Sequence, residues 1–574
     1  MLIAGWVAKQ LYKIGIERIF LYPGGTIAPL VHACIDCGIK AEVFKNEQGA
    51  AYAALAYARV TGKPQVAMVT SGPGVTNVIT PLADAFYDST PLVVFTGQVG
   101  TGDLSSRKAV RQRGFQEVPT INLVKSVCKR ATCMLTVTDV FKEVPESFHL
   151  ASRNRQGPVV IDFPMDMQRH EISRENFTIE KLQSTSGIEF HSKDLKVLSE
   201  VVAAAAASKR PVLFLGHGAL NAGMFDRYVE MANAIDAFVV TSFLGIGCYD
   251  KSDERHLGYV GHTGHLSANR AVFESDFVLV IGARLDVRQT GTLVDKFVPR
   301  GQVAWVDSDP DELENPRVTT RWKIEADAKE FCEKFTEQFQ KRSTATDERW
   351  KEQILALKNE KYEDRPQERS TYVQPRPILE ALGRLMKGSL VTVVTGVGCH
   401  QHWAARHLPY HPKLCRLLTS GGHGTMGYDL PSAIGAAMAE PDRRVLCVVG
   451  DGSFLMNIQE MASLHERNLD VKIVIFNNGR LGIVSQFQLI TWGDDPTSGN
   501  FGVPDFVAIS RGFGIPADSI EKADDIDVKL EWLWKNKGPA LLNVLIDPSA
   551  DVVPMLLAGQ TMGEMWMGRN FGCH

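Results

Sequence analysis

Short apolar runs recur along this chain of 574 residues, and they constrain its fold more than any other feature. The clearest runs lie at 65–70, 91–96, 158–162, 211–215, 277–281, 445–449 and 471–476. They are rich in β-branched residues and do not alternate with polar ones, which is typical of parallel strands buried on both faces. Helical patterns separate the runs, so we predict an α/β fold with helices flanking parallel sheets.

Two polar stretches divide the chain into three α/β units of similar size. Residues 168–195 are weakly patterned, and residues 341–375 are highly charged, with some helical spacing that is compatible with a connecting helix. We therefore predict domains at 1–168, 190–340 and 370–565. Gly-rich segments at 70–74 and 419–422 resemble each other, which suggests that the first and third units share a fold.

The charge balance bears on the class of partner. The chain has 62 Lys and Arg against 66 Asp and Glu, a formal net charge of −4, which supplies no general field for nucleic acid or membrane surfaces. No apolar run reaches the roughly 18 residues of a membrane span, and the first residues form a helical stripe rather than a secretory signal. Ten scattered cysteines fit reduced thiols. We predict a cytoplasmic protein with no nucleic-acid or membrane partner.

The strongest chemical signal is a pair of polar strand ends in the third unit. The run 445–449 continues into Gly450-Asp451-Gly452-Ser453, and the run 471–476 continues into Asn477-Asn478. The carboxyl ends of parallel strands form the ligand-binding edge of an open α/β sheet, so these residues should meet there. Carboxylate and amide oxygens suit Mg²⁺, and glycines let backbone N–H groups approach phosphates. Either motif alone is more often a simple turn, but together they predict a metal-bound diphosphate.

This pair of motifs resembles the signature of thiamine-diphosphate enzymes, which begins Gly-Asp-Gly and ends Asn-Asn. Further segments, in unbroken order along most of the chain, are most similar to the catalytic subunit of acetolactate synthase. These segments are 22–25, 46–51, 70–77, 96–98, 420–428 and 481–488. The resemblance implies a pyrimidine-binding unit, a central flavin-type unit and a diphosphate-binding unit, with thiamine diphosphate, Mg²⁺ and FAD as cofactors.

The resemblance also implies roles for individual residues. Glu47 matches the glutamate that hydrogen-bonds the cofactor's aminopyrimidine and promotes loss of the thiazolium C2 proton, a role that needs a protonated carboxyl group. Met426 matches the bulky apolar residue that wedges the two cofactor rings together. The other matching positions are Gly25, Thr70, Gly74, Asn77, Gln98, Gly398, His400, Gln401, Gly424, Gly452 and Ser453 for the cofactor, with Asp451, Asn478 and Arg480 for the metal.

The middle unit resembles the flavin-binding domain of the acetolactate synthases. Residues 282–291 and 306–310 follow strands and match its flavin-contacting segments. His217 stands where that domain often has a glycine, and His262 stands where it often has a methionine. The resemblance implies that FAD has a structural rather than a redox role. The implied contacts are Gly216, Gly218, Gly282, Arg284, Arg288 and Asp307.

Departures from the family cluster around the predicted acceptor site. Phe115 and Gln116 match a catalytic element that reaches the active site of the neighbouring subunit, but a longer, basic segment at 105–114 precedes it. Met165 replaces a lysine near the substrate entrance, and Phe487 replaces a tryptophan that biases the choice of acceptor. Arg288 matches the arginine that meets an acceptor carboxylate.

The sequence therefore leaves the acceptor open. The leading hypothesis is an enzyme, a transferase that decarboxylates pyruvate and passes its C2 unit to a second 2-keto acid. The alternative is transfer to a ketosugar nucleotide or another ketone, with the basic segment meeting phosphates, although a solvated charge run explains that segment equally well. A decarboxylase or oxidase is third, and intact Glu47, Asp451 and Asn478 argue against a regulatory protein without turnover. We expect a homodimer or homotetramer, and the need for a regulatory subunit is left open.

Overall fold

A computed structural model describes residues 1–105, 110–173, 192–339, 341–360 and 372–568. These residues contain three parallel sheets of six strands, which confirms the predicted fold class. Most of the first polar stretch, and Arg107 and Lys108 of the basic segment, lie outside the described residues. The predicted domain limits stay a prediction.

The N-terminal unit is built on the first sheet. Its strands are β1 (Arg18–Leu21), β2 (Lys40–Val43), β3 (Gln65–Val69), β4 (Leu92–Gln98), β5 (Arg130–Cys133) and β6 (Val159–Pro164). Its helices are α1 (Ile3–Ile14), α2 (Ala28–Asp36), α3 (Glu47–Thr61), α4 (Pro73–Tyr87), α5 (Thr120–Val124), α6 (Val137–Ser152) and α7 (Met165–Gln168). The strand order is β2-β1-β3-β4-β6-β5, and every pair is parallel. Strands β3, β4 and β6 are buried throughout, which explains their continuous apolar runs.

The middle unit has a different topology. Its strands are β7 (Pro211–Leu215), β8 (Phe238–Thr241), β9 (His256–Tyr259), β10 (Phe277–Ile281), β11 (Gln302–Asp307) and β12 (Trp322–Glu325). Its helices are α8 (Ser192–Ala207), α9 (His217–Ala222), α10 (Phe225–Ala234), α11 (Leu266–Glu274), α12 (Val287–Thr290), α13 (Pro310–Glu314), α14 (Ala328–Gln338) and the connecting helix α15 (Glu348–Asn359). The order β12-β11-β10-β7-β8-β9 reverses between β7 and β10, and ligands of open α/β sheets bind at such a switch point.

The C-terminal unit repeats the topology of the first. Its strands are β13 (Val391–Thr395), β14 (Cys415–Thr419), β15 (Arg444–Gly450), β16 (Val471–Asn477), β17 (Ala517–Ile520) and β18 (Ala540–Leu545). Its helices are α16 (Pro375–Met386), α17 (Cys399–His407), α18 (Asp429–Ala439), α19 (Asp451–Leu455), α20 (Glu460–Arg467), α21 (Gly482–Trp492), α22 (Phe506–Gly512) and α23 (Ile526–Lys535). The order β14-β13-β15-β16-β18-β17 corresponds strand for strand to that of the first sheet, so the two units share a fold.

The first and third units share one hydrophobic core. Helix α3 packs on α18 through small residues, and a Cβ added at Gly435 would lie 2.1 Å from the carbonyl oxygen of Ala53. Polar contacts join the same faces: the guanidinium of Arg59 donates to the Thr419 carbonyl oxygen at 2.6 Å. The close approach explains why α3 is so rich in alanine, because larger side chains would separate the helices. The start of α3, with Glu47, is thereby held against the C-terminal unit.

The length and composition of the described helices decide whether any of them could span a membrane. Within the described part of the chain, no helix combines the length and the apolar character that crossing a bilayer requires.

Candidate active site

The two polar strand ends of the C-terminal unit meet at one edge of its sheet. Strands β15 and β16 are adjacent, and Asp451 begins α19 directly after β15. Asp451 is 2% exposed, and its Oδ1 accepts from the Gly452 N–H at 2.7 Å. Its Oδ2 accepts from the N–H groups of Asn478 at 3.1 Å and Gly479 at 2.8 Å. The carboxylate therefore joins the two predicted motifs.

The donor set at this edge suits a hard divalent cation. Burial raises the pKa of Asp451 to about 6, although backbone hydrogen bonds act to lower it. A bound cation would favour the carboxylate form. The Asn478 Oδ1 accepts from the Arg480 N–H at 3.2 Å, and the Arg480 guanidinium donates to the Pro548 carbonyl oxygen at 2.8 Å. Because a guanidinium has no acceptor atom, Arg480 can offer a metal only its carbonyl oxygen.

Glycines and a neutral histidine surround the same edge. A Cβ at Gly450 would lie 2.8 Å from His400 Nδ1, and one at Gly398 would lie 2.9 Å from His400 Cε1. Burial lowers the pKa of His400 to about 3, so its imidazole is neutral. His400 Nε2 is buried with no hydrogen-bond partner among the described residues. An unpaired buried nitrogen is costly, so this atom fits a polar ligand such as a phosphate oxygen.

The 420–428 loop brings Met426 to this edge. A Cβ at Gly452 would lie 3.3 Å from Met426 Cε. The Ser453 Oγ accepts from the Gly427 N–H at 2.9 Å and donates to the Asp429 carboxylate. At the other end of the loop, the Gly424 N–H donates to the Ser420 Oγ at 2.9 Å. Ser453 and Gly424 thus shape the loop that holds the predicted wedge residue.

Glu47 opens helix α3 in the N-terminal unit. The preceding Asn46 caps the helix, with its Oδ1 accepting from the Gln48 N–H at 2.8 Å. Glu47 is 6% exposed, and its Oε2 accepts from Asn77 Nδ2 at 2.8 Å. The structure therefore pairs two residues that the sequence assigned separately to the cofactor.

Thr70 packs against Thr26 and Gly74 in the same N-terminal unit. The Thr70 and Thr26 hydroxyl oxygens lie 2.9 Å apart. A Cβ at Gly74 would lie 3.1 Å from Thr70 Cγ2, whereas one at Gly25 would meet no atom within 4 Å. Gly74 is therefore needed for packing, while Gly25 borders open space.

Two predicted cofactor residues differ in how far their amides are engaged within the protein. Gln98 Nε2 donates to the Val118 carbonyl oxygen and to Asp162 Oδ2, both at 3.0 Å, and its Oε1 accepts from the Val99 N–H at 2.9 Å. Gln401 Nε2 donates to Thr419 Oγ1 at 2.7 Å, but its Oε1 is buried with no hydrogen-bond partner among the described residues, and the residue lines the central cleft described next. The geometry thus gives Gln98 an internal structural contact, and Gln401 a place near the middle unit.

A cleft of about 270 Å³ opens at the switch point of the middle sheet. Its lining includes Gly218, Gly282, Arg284, Arg288 and Asp307 among the predicted flavin contacts. A Cβ at Gly216 would lie 2.0 Å from the Gly282 carbonyl oxygen, so these glycines are required where two backbone segments touch. Such a glycine-lined crevice beyond the ends of β7 and β10 fits a dinucleotide.

Titratable residues from the middle unit and from the N-terminal unit line the cleft. Arg284 donates to Asp286 Oδ2 at 2.9 Å, and burial raises the pKa of Asp307 to about 6. Burial lowers the pKa of His217 to about 3, so the histidine that replaces a glycine is neutral. Sequence reasoning missed Arg155, which lines the cleft from the N-terminal unit and pairs with Asp309 at 2.8 Å. No local motif marks Arg155, because its partner is distant in sequence.

The predicted substrate residues lie at the surface of the single chain. Phe115 is 85% exposed, Phe487 is 55% exposed, and Met165 is half-buried at the start of α7. Phe487 lies on α21, where it makes an edge contact with Trp492, which is 68% exposed. The two fully buried residues of this apolar helix, Ser485 and Gln486, are polar. An apolar face on the outside of a helix points to a contact beyond this chain.

Known protein families match this chain unit by unit. Three family models match: "Thiamine pyrophosphate enzyme, N-terminal TPP binding domain" over residues 1–123, the central domain over 198–335 and the C-terminal TPP binding domain over 396–544. Acetolactate synthase 2, chloroplastic, of Zea mays is 34% identical, covering 97% of the chain and 88% of that protein. The chain belongs to the acetolactate synthase family of thiamine pyrophosphate enzymes.

Relatives in this acetolactate synthase family span distant organisms. The mitochondrial acetolactate synthase catalytic subunit of Saccharomyces cerevisiae is 34% identical over 97% of the chain and 82% of that protein. The acetolactate synthase isozyme 2 large subunit of Escherichia coli is 33% identical over 98% of both proteins. These matches confirm the predicted family and its thiamine diphosphate domains. The roles of individual site residues stay predictions.

Proposed function

We propose that this chain is the catalytic subunit of a carboligase that decarboxylates pyruvate and transfers the C2 unit to a second 2-keto acid, forming acetolactate when that acceptor is pyruvate. The strongest support is the match to acetolactate synthases over almost the whole chain. That match favours a keto-acid acceptor over a ketosugar nucleotide. The edge at Asp451 and the buried Glu47 supply the polar groups that the reaction needs.

Thiamine diphosphate supplies, when bound, the carbanion-stabilising chemistry that decarboxylation of a 2-keto acid requires. Asp451, Asn478 and the Arg480 carbonyl oxygen would hold Mg²⁺, and His400 Nε2 would donate to a phosphate oxygen. Glu47 would share a proton with the pyrimidine through the oxygen that Asn77 does not hold. Met426 would pack against the cofactor and support its folded shape.

The central cleft would hold FAD. Gly218 and Gly282 leave backbone accessible to the ligand, Gly216 lets the two segments pack together behind it, and the Arg284 and Arg288 guanidiniums can meet phosphates. Arg288 is exposed and uses its backbone N–H, not its guanidinium, to bond Asp286. It is therefore also suited to meet the carboxylate of an acceptor, with Met165 and Phe487 limiting the acceptor's size.

The exposed apolar residues support a homodimer or homotetramer. Phe115, Phe487 and Trp492 would be covered by a second copy of the chain, which would complete the site. Some relatives are called large subunits, so a regulatory small subunit is a further candidate partner. A cytoplasmic location remains our prediction, although the plant and yeast relatives are named as chloroplastic and mitochondrial.

The balance between pyruvate consumed and CO₂ released tests the proposed reaction. With thiamine diphosphate, Mg²⁺, FAD and pyruvate alone, we expect one CO₂ for every two pyruvate molecules and no uptake of O₂. A simple decarboxylase would release one CO₂ for each pyruvate, and an oxidase would consume O₂. Either result would contradict the carboligase proposal, and heat-treated protein provides the baseline.

A further inference from the structure

Glu117 lies at the end of the turn that carries the exposed Phe115 and the half-buried Gln116, and its own side chain is buried. Its Oε2 accepts from the Arg113 N–H at 2.8 Å and from the Gly114 N–H at 3.3 Å. Its Oε1 accepts from the Ser105 N–H. One side chain therefore joins the two ends of the basic segment.

Further contacts fix the turn between Gly114 and Glu117. The Glu117 N–H donates to the Gly114 carbonyl oxygen at 3.1 Å, and Gln112 Nε2 donates to the Glu117 carbonyl oxygen at 3.1 Å. A Cβ at Gly114 would lie 2.7 Å from Val99 Cγ1, so this glycine is packed directly against the end of the sheet. The turn is thus closed by its own hydrogen bonds and packed against the N-terminal unit at Gly114.

Gln116 has a backbone conformation that few residues other than glycine adopt. Its φ is +61°, and a Cβ at Gly72 would lie 3.0 Å from the Gln116 Cβ. A left-handed non-glycine residue persists only where its surroundings enforce it, and such residues concentrate at functional sites. The contacts of Glu117 provide that enforcement.

We propose that Glu117 is a positioning residue whose carboxylate sets the turn that presents Phe115 and Gln116 to the reacting substrate. The proposal rests on the proposed carboligase function, because that function gives the Phe115 and Gln116 side chains a substrate to meet. Burial acts to raise the pKa of Glu117, but hydrogen bonds from Ser105, Arg113 and Gly114 outweigh it and lower the pKa. The side chain is therefore a carboxylate near neutral pH, with at least one N–H donor on each oxygen.

The substitution Glu117→Gln tests this role with little change in size. Both carboxylate oxygens accept backbone N–H groups, so an amide would place an NH₂ group against at least one of those donors, whichever way it is turned. We expect kcat/KM for pyruvate to fall about 10- to 100-fold, because small displacements of positioning groups have effects of that size. The KM for thiamine diphosphate should stay unchanged. Glu117→Asp, which keeps the charge, should restore part of kcat/KM.

Two readouts separate positioning from a general loss of structure. Exchange of the C2 proton of bound thiamine diphosphate with D₂O depends on Glu47, so Glu117→Gln should leave its rate unchanged. Trypsin should cut after Arg113 faster in Glu117→Gln than in the wild type, because the amide has one acceptor oxygen for donors that now share two, and the turn is held less firmly. Fragments identified by mass spectrometry give the rate at that bond.

Asp276→Asn is a matched control. The Asp276 carboxylate also accepts backbone N–H groups, from Lys209 at 2.8 Å and Arg210 at 3.0 Å, but in the middle unit. The Asp276→Asn variant should keep wild-type kcat/KM and the wild-type rate of cleavage after Arg113. Wild-type kcat/KM in Glu117→Gln, or loss of C2 exchange together with turnover, would overturn the positioning role. Absence of pyruvate turnover in the wild type would instead refute the proposed function, while cleavage after Arg113 would still test the contact.

Discussion

Glu47→Gln should abolish most pyruvate turnover while leaving thiamine diphosphate bound. The amide can still accept from Asn77 Nδ2, which lies 2.8 Å from the native carboxylate, so the start of α3 should keep its structure. It cannot exchange a proton with the pyrimidine ring, and loss of a general acid–base group costs about 10²- to 10⁴-fold in rate. Turnover with pyruvate and C2 exchange in D₂O should fall together.

Glu460→Gln provides the control for this substitution. Glu460 is also a buried glutamate beside α3, but it accepts from the Lys45 N–H at 3.1 Å and from Ser463 Oγ at 2.6 Å, which are structural contacts. The Glu460→Gln variant should keep most of the wild-type pyruvate turnover. Wild-type activity in Glu47→Gln would refute the acid–base role, and loss of cofactor binding would show that Glu47 is instead required for binding.

Asp451→Asn should prevent Mg²⁺-dependent binding of thiamine diphosphate. The amide loses the charge that balances the cation, and its NH₂ group would face either the Gly452 N–H or those of Asn478 and Gly479, whichever way it is turned. Even changes to outer-sphere partners of a metal weaken binding about 10- to 100-fold, so a direct ligand should cost more than about 100-fold. Titration calorimetry with thiamine diphosphate at saturating Mg²⁺ measures the loss.

Asp470→Asn tests whether any carboxylate near this sheet has the same effect. Asp470 precedes β16 at the opposite edge, where it pairs with Arg444 at 2.8 Å. Its substitution should leave cofactor affinity unchanged. Equal affinity in Asp451→Asn and the wild type would show that the metal is held elsewhere. Asn478→Ala, which removes the amide ligand without placing a new donor there, should weaken binding in the same direction as Asp451→Asn.

The strands that could be predicted are those buried on both faces. Runs such as 277–281 and 471–476 became β10 and β16 because continuous burial selects continuous apolar residues. The edge strand β2 (Lys40–Val43) has no such run, because it is largely accessible and its sequence is mixed. The strand-end pattern also placed Asp451 beside Asn478, since parallel strands bring successive carboxyl ends to one edge.

Contacts between distant segments were beyond sequence reasoning. The sequence around Gln98 indicates the end of a strand. It does not show that the Gln98 amide donates to Val118 and Asp162. Arg155 has no motif, and only packing of the N-terminal unit against the middle unit brings it to the cleft. Glu117 directly follows Phe115 and Gln116 in the sequence, yet no local pattern predicts that its carboxylate accepts from the N–H groups of Ser105, Arg113 and Gly114.

Product analysis by NMR is the most direct test of the carboligase. The protein is incubated with thiamine diphosphate, Mg²⁺, FAD and pyruvate labelled with carbon-13 at its methyl group, as the only substrate. We expect acetolactate with equal label in its two methyl groups, because one pyruvate serves as donor and another as acceptor. Labelled acetaldehyde or acetate as the main product, or no consumption of pyruvate, would contradict the proposed reaction.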